Sequence, residues 1–222
     1  MKRLLSLSWS LALLPGALLA QFSHIEVDEV DNGGLVPGRT YRVYAVMEQE
    51  GDVIDAIFGE KDALLQISST KKFWQHPKGG ALSSDVQRYD TREDETLLYD
   101  SWVTIGAEDN YKNAVSEFPP NENILGLFDA EGGSIETSNG AWFVTPDKQQ
   151  AFAPADKRIL LMQLTTEGKV EGLINIHGRT KTEFGAVIGQ PTQVGAPPQR
   201  EVLSGGELIQ AEGVRFTCGD KR

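Results

Sequence analysis

From Thr40 onward, apolar residues come in short runs that alternate with polar ones, and Gly, Asn, Asp or Pro separates each run from the next. An extended chain turns successive side chains to opposite faces, so this period of two predicts strands rather than helices. β-branched and aromatic residues fill the runs, as a pleated, half-buried surface favours. The pattern predicts strands over 40–48 (TYRVYAVME), 53–59 (VIDAIFG), 63–68 (ALLQIS), 98–106 (LYDSWVTIG), 141–145 (AWFVT), 159–166 (ILLMQLTT) and 170–178 (VEGLINIHG). No window keeps a helical period through three turns, and the charged stretch 85–98 has room for one short helix at most.

The connector Glu167-Gly168-Lys169 between the last two runs has hairpin length, which predicts that 159–166 and 170–178 pair antiparallel. Strands of this number, joined by short connections, predict a mainly β fold, an antiparallel β-sandwich, with a closed β-barrel as the alternative. Loops dominate 111–123, which holds the two prolines of EFPPNEN. The stretch 185–206 is rich in Gly and Pro and lacks alternation, so it reads as a linker or surface excursion; beyond it, ELIQAEGVRF has the composition of one last strand. The chain thus divides into a leader at 1–20, a single β domain at 21–184, and a Gly/Pro-rich linker with a C-terminal extension at 185–222.

The leader follows from the first residues. Lys2 and Arg3 precede an apolar run that ends at Ala20, interrupted by Pro15-Gly16. This predicts a secretory signal peptide with Gln21 as the first mature residue, hence an extracellular protein. A bilayer span needs about 20 consecutive apolar residues, so no transmembrane anchor is expected. The formal net charge of −11 becomes −13 once the leader, with its two cations and no acid, is removed. Such an acidic surface repels phosphate backbones and anionic lipid, which argues against nucleic-acid or membrane-surface binding. Cys218 is the single cysteine, so an internal disulfide is excluded and the core alone must hold the fold.

Several groups of residues suggest chemistry. In DEVDNGG, Asp28, Asp31 and Asn32 offer oxygen ligands beside a glycine turn, as a calcium site would, but Val30 and Arg39 depart from the EF-hand spacing. Asp-Asn-Gly-Gly is equally ordinary turn chemistry. No other cofactor is indicated. The histidines, His24, His76 and His177, lack zinc-site spacing and read as polar surface groups. No GxSxG elbow is present; Ser134 lacks the following glycine, and Ser101 beside Asp100 would need a histidine brought by tertiary contacts.

The stretch Tyr99-Asp100-Ser101-Trp102-Val103-Thr104-Ile105-Gly106 carries the sharpest question. Alternation puts Tyr99, Ser101, Val103 and Ile105 on a core face and Asp100, Trp102 and Thr104 on the opposite one. Trp102 between two polar groups resembles a carbohydrate-stacking platform, to which Trp74 of FWQHPKGG is a further contributor. The alternative is that a loop covers Trp102 and that Asp100 ties the loop down by accepting backbone N–H bonds. Trp74, Trp102 and Trp142 would then be separate packings rather than one strip.

Taken in order, TYRVYAVME, DAIFGEKDALLQISSTKKFWQHPKGG, YDSWVTIG, GAWFVTPDKQQAFA and ILLMQLTTEGKVEGLINIHG resemble an uncharacterised domain that recurs in secreted, often bacterial, proteins. The resemblance covers about 40–178 and implies an extracellular β module of the kind found in larger surface or matrix proteins. The reading that follows is a secreted, non-enzymatic binding or assembly module whose partner is an extracellular glycan or matrix protein. A structural self-associating component and an extracellular hydrolase are the alternatives.

Overall fold

The computed structural model describes residues 22–120, 122–181 and 207–219. Two antiparallel sheets face each other. The first has the order β1-β2-β9-β5, formed by Phe22–Val30, Arg39–Met47, Arg158–Thr166 and Trp102–Val103. The second joins β6 (Ser116–Phe118), β8 (Gly140–Phe143), β3 (Val53–Gly59), β10 (Val170–Arg179), β4 (Leu65–Ser69) and β7 (Ile135–Thr137). Strand β10 is long enough to pair with β4 through Val170–Leu173 and with β3 through Asn175–Arg179, while β11 (Leu208–Cys218) lies along its other edge. Among the described residues no barrel closes, and the architecture is the β-sandwich.

Alternation does the work expected of it in β2, where Tyr41, Val43, Ala45 and Met47 are buried and Arg42, Tyr44 and Val46 are only half-buried. The inward residues of both sheets pool into one core. Trp142 lies at its centre, with no exposed surface, and its indole N–H donates to the Thr104 carbonyl at 3.0 Å. Each large apolar side chain buried in this way contributes roughly 1.5–3 kcal/mol.

The expected hairpin does not form. β9 pairs with β2 and β5, and β10 with β3, β4 and β11, so both edges of each strand are taken and Glu167-Gly168-Lys169 carries the chain from one sheet to the other. A three-residue connector serves either a hairpin or such an arch, and the burial of β9 on both faces goes with the arch. The stretch 98–106 is also not one strand. Glu95–Tyr99 winds as a 3-10 turn with Leu98 exposed and Tyr99 half-buried, and only Trp102–Val103 pairs with β9. The C-terminal segment is no appendage, because β11 is integral to the second sheet; there Cys218 is buried, which pushes its thiol up to about 12. The leader 1–20 and the linker 185–206 lie outside the described residues.

On the outer face of the first sheet, the segment between β4 and β5 folds down as 3-10 turns at Ser83–Asp85, Asp90–Arg92 and Glu95–Tyr99. Val86, Leu97, Trp102 and Leu160 form a second apolar cluster, against which Tyr44 packs. This cover fills one part of the sheet's outer face and leaves the neighbouring part open.

Candidate functional site

Asp100, Trp102 and Thr104 lie in the interior. Trp102 is 2% exposed, so its ring offers no face on which a sugar could stack, and the platform expectation fails on that ground. Asp100 accepts the His76 N–H at 2.7 Å and the Gly80 N–H at 3.2 Å, pinning the 76–80 loop. Burial raises the Asp100 carboxyl to about 7, against the opposing pull of these backbone donors. The loop comes so close that a Cβ at Gly79 would sit 1.7 Å from Asp100 Oδ2. Thr104 Oγ1 accepts from the Ser83 hydroxyl and donates to the Ala107 carbonyl, both at 2.7 Å. The alternation argument missed this arrangement because both faces of the segment are covered. Trp74 is half-buried, its ring 5.6 Å from that of His76.

His76 is not the surface group its position before Pro77 suggested. Its side chain is buried; Nε2 is 3.1 Å from Asp94 and Nδ1 accepts the Lys78 N–H at 3.0 Å. His177, half-exposed on β10, is bonded through Nδ1 to the buried Asp55, which raises the imidazole pKa. Ser101 is buried and bonded to the Thr165 backbone. Among the described residues, no three His, Cys, Asp or Glu side chains converge as a metal ion requires. Asp28 instead pairs with Arg158 at 2.6 Å, Asp31 accepts the Gly33 N–H at 2.8 Å, and Asn32 accepts from Gly34 at 3.0 Å and donates to the Gly38 carbonyl at 3.1 Å. The calcium-like stretch is thus a strand end and its turn.

Beside the covered tryptophan, the open part of the outer face is a cleft of about 820 Å³. Tyr44 and Leu160 form its floor. The Arg158 guanidinium lies 4.0 Å from the centre of the Tyr44 ring, held there by Glu26 and Asp28 at 2.9 and 2.6 Å. One wall is the loop after β5, which presents Tyr111 with 56% of its surface exposed; Arg88 stands 4.6 Å from that ring and is itself tied to Asp109 at 2.6 Å. The facing wall follows β8 and presents Phe152, 37% exposed.

The walls are fastened to each other. Gln150 donates to the Ile105 carbonyl at 2.7 Å and to Asn113 Oδ1 at 3.1 Å, and accepts the Ala114 N–H at 2.8 Å. Gly106, at φ +72°, lets the loops close up: a Cβ there would meet the Gln150 carbonyl oxygen at 1.8 Å. Exposed aromatic rings on loops tied to each other, lined by amides and charged groups, suit a ligand with flat apolar patches and many hydroxyls. Sequence reasoning missed Tyr111 and Phe152 because each stands in a loop without periodicity; an aromatic among charged neighbours was a signal at Tyr111, and Phe152, between two alanines, had none.

No family model, curated protein or solved structure matches the chain. Among the described residues, no helix is long and apolar enough to cross a membrane.

Proposed function

We propose that the protein is a secreted binding module that takes an extracellular glycan in the cleft between Tyr111 and Phe152. The observation that carries this reading is the pair of exposed aromatic rings on walls that Gln150 already holds in place. Sugar rings present C–H faces that lie against aromatic rings, while their hydroxyls pair with neighbouring amides and charged groups. Polar residues at the rim, including Gln149 and Asp147, supply those partners. The cleft volume falls in the usual range for small-ligand sites, and a preformed cleft spares the ordering cost of loop closure. The leader read from Lys2, Arg3 and the following apolar run supports export. None of the lining residues is a serine, cysteine or histidine, and every carboxylate on the cleft stands in an ion pair, which supports holding over cleaving.

The test is a polysaccharide array probed with the protein lacking residues 1–20, alongside Tyr111→Ala and Phe152→Ala. Each substitution is expected to weaken binding about tenfold or more, equivalent to about 1.4 kcal/mol, with the thermal midpoint unchanged. Glycan binding that survives both substitutions, or no binding to any polysaccharide, overturns the reading.

A further inference from the structure

We infer that the cleft selects an acidic glycan, one bearing carboxylate or sulfate, and that Lys112 is the residue that reads the charge. The inference rests on the cleft being a glycan site and adds the class of glycan it takes.

It follows from an accounting of the charges around the cleft. Arg88 is paired with Asp109 at 2.6 Å, Arg158 with Asp28 at 2.6 Å and Glu26 at 2.9 Å, and Lys148 with Asp147 at 3.2 Å. Glu108, the remaining acid of the lining, is paired with Arg42 at 2.9 Å. Lys112 is left over. Among the described residues its ammonium has neither a carboxylate partner nor a hydrogen bond, and it stands 5.4 Å from the centre of the Tyr111 ring. Each acid lining the cleft is therefore paired with a cation, Arg158 serves two acids outside the lining, and Lys112 is the lining cation whose charge meets no acid, beside the aromatic ring assigned to stacking.

The position of that charge is costly to the fold. Lys112 has φ of 54°, the left-handed region in which a long side chain is disfavoured and Asn or Gly is at ease. The turn around Asp109 imposes this conformation: Asp109 Oδ1 accepts the Tyr111 N–H at 2.8 Å and the Asp109 carbonyl accepts from Asn113 at 2.9 Å. Arg88 and Lys112 both lie within 6 Å of one ring centre, so two cations crowd Tyr111 while only one has its own acid. An anionic group carried by a ring stacked on Tyr111 relieves that imbalance. The full chain, at net −11, repels polyanions, so discrimination has to come from this local charge at short range.

The experiment compares matched pairs of polymers: polygalacturonate with its methyl ester, and dextran sulfate with dextran. The protein is expected to bind the acidic member of at least one pair about tenfold more tightly, the pair that responds telling carboxylate from sulfate, and the preference should shrink as salt is added. Lys112→Gln and Lys112→Asn are expected to abolish the preference while keeping the affinity for the neutral member, and Lys112→Arg to restore it. Lys112→Asn suits the left-handed backbone and should keep or raise the thermal midpoint, which excludes misfolding as the cause. Equal binding of acidic and neutral members overturns the inference and leaves the glycan reading standing, as does a preference that survives Lys112→Gln. Failure to bind any of the four polymers overturns this inference, while the glycan reading stands or falls with the polysaccharide array.

Discussion

Two neighbouring regions of the first sheet's outer face share Tyr44 and Leu160 yet have opposite fates. Around Trp102 the 3-10 turns close over the sheet, Asp100 pins the 76–80 loop, and the polar side chains spend their hydrogen-bonding capacity on backbone. Around Tyr111 and Phe152 the sheet stays open, and aromatic rings stand in solvent with charged groups arranged about them. The lesson is that the conspicuous tryptophan motif is a fastening, whereas two inconspicuous loop aromatics are the accessible surface. Substitutions in the two regions should therefore separate stability from binding.

The largest effect on stability is expected from Trp102→Ala. Emptying that site should cost about 3–5 kcal/mol, a fall in thermal midpoint of roughly 10 °C or more for a chain of this size. Scanning calorimetry checks it, and an unchanged midpoint would erase the distinction between the two regions.

Next comes Asp100→Ala, which strands the His76 and Gly80 donors and should cost about 1–3 kcal/mol. Asp100 also gives the cover a pH response. Its carboxyl is raised by burial from the ordinary value of 3.8 to about 7, so the folded state holds the proton more tightly than the unfolded chain. The resulting stabilisation is fully present below the unfolded value and is lost as pH rises from about 4 to 7. Asp100→Asn should flatten that slope in melts between pH 4 and 8; parallel curves for the two proteins would contradict it.

His76→Ala is expected to cost about 1 kcal/mol, because it removes a hydrogen bond to Asp94 and leaves the Lys78 N–H without its acceptor. Urea titration reads this, and a loss below about 0.3 kcal/mol would mean that solvent replaces both bonds. Smallest of all should be the effect on stability of Tyr111→Ala and Phe152→Ala, within about 0.5 kcal/mol for such exposed groups, against a large loss of binding.

How much of this was legible in the sequence depended on whether one face of a segment stays less buried than the other. β2 shows the pattern plainly, since Val43 and Ala45 face the core while Arg42 and Tyr44 do not. β9 shows no alternation because Ile159 to Thr166 are buried on both faces, polar Gln163 and Thr165 included, and the same circumstance defeated the assignment of faces around Trp102. β1 went unrecognised because an edge strand can carry charges such as Glu26 and Asp28 on its outer face, where Arg158 meets them. The three-residue link 167–169 looks the same whether its strands share a sheet or not. The cleft was illegible for a different reason. Tyr44, Arg88, Tyr111 and Phe152 are far apart along the chain, and only the folding of three loops over one sheet brings them together.

Gln150 has a consequence for time rather than for energy. By bonding to Ile105, Asn113 and Ala114, it holds both walls at their final separation before any ligand arrives, so the cleft has no closing movement to complete. For the glycan binding proposed above, association would then be governed by diffusion and orientation, and residence by how well the rings and charges are satisfied once met. The ordering that binding requires falls on the ligand instead. A stiff chain already held in an extended shape surrenders little freedom on entry, whereas a supple one of identical composition must freeze several linkages at once.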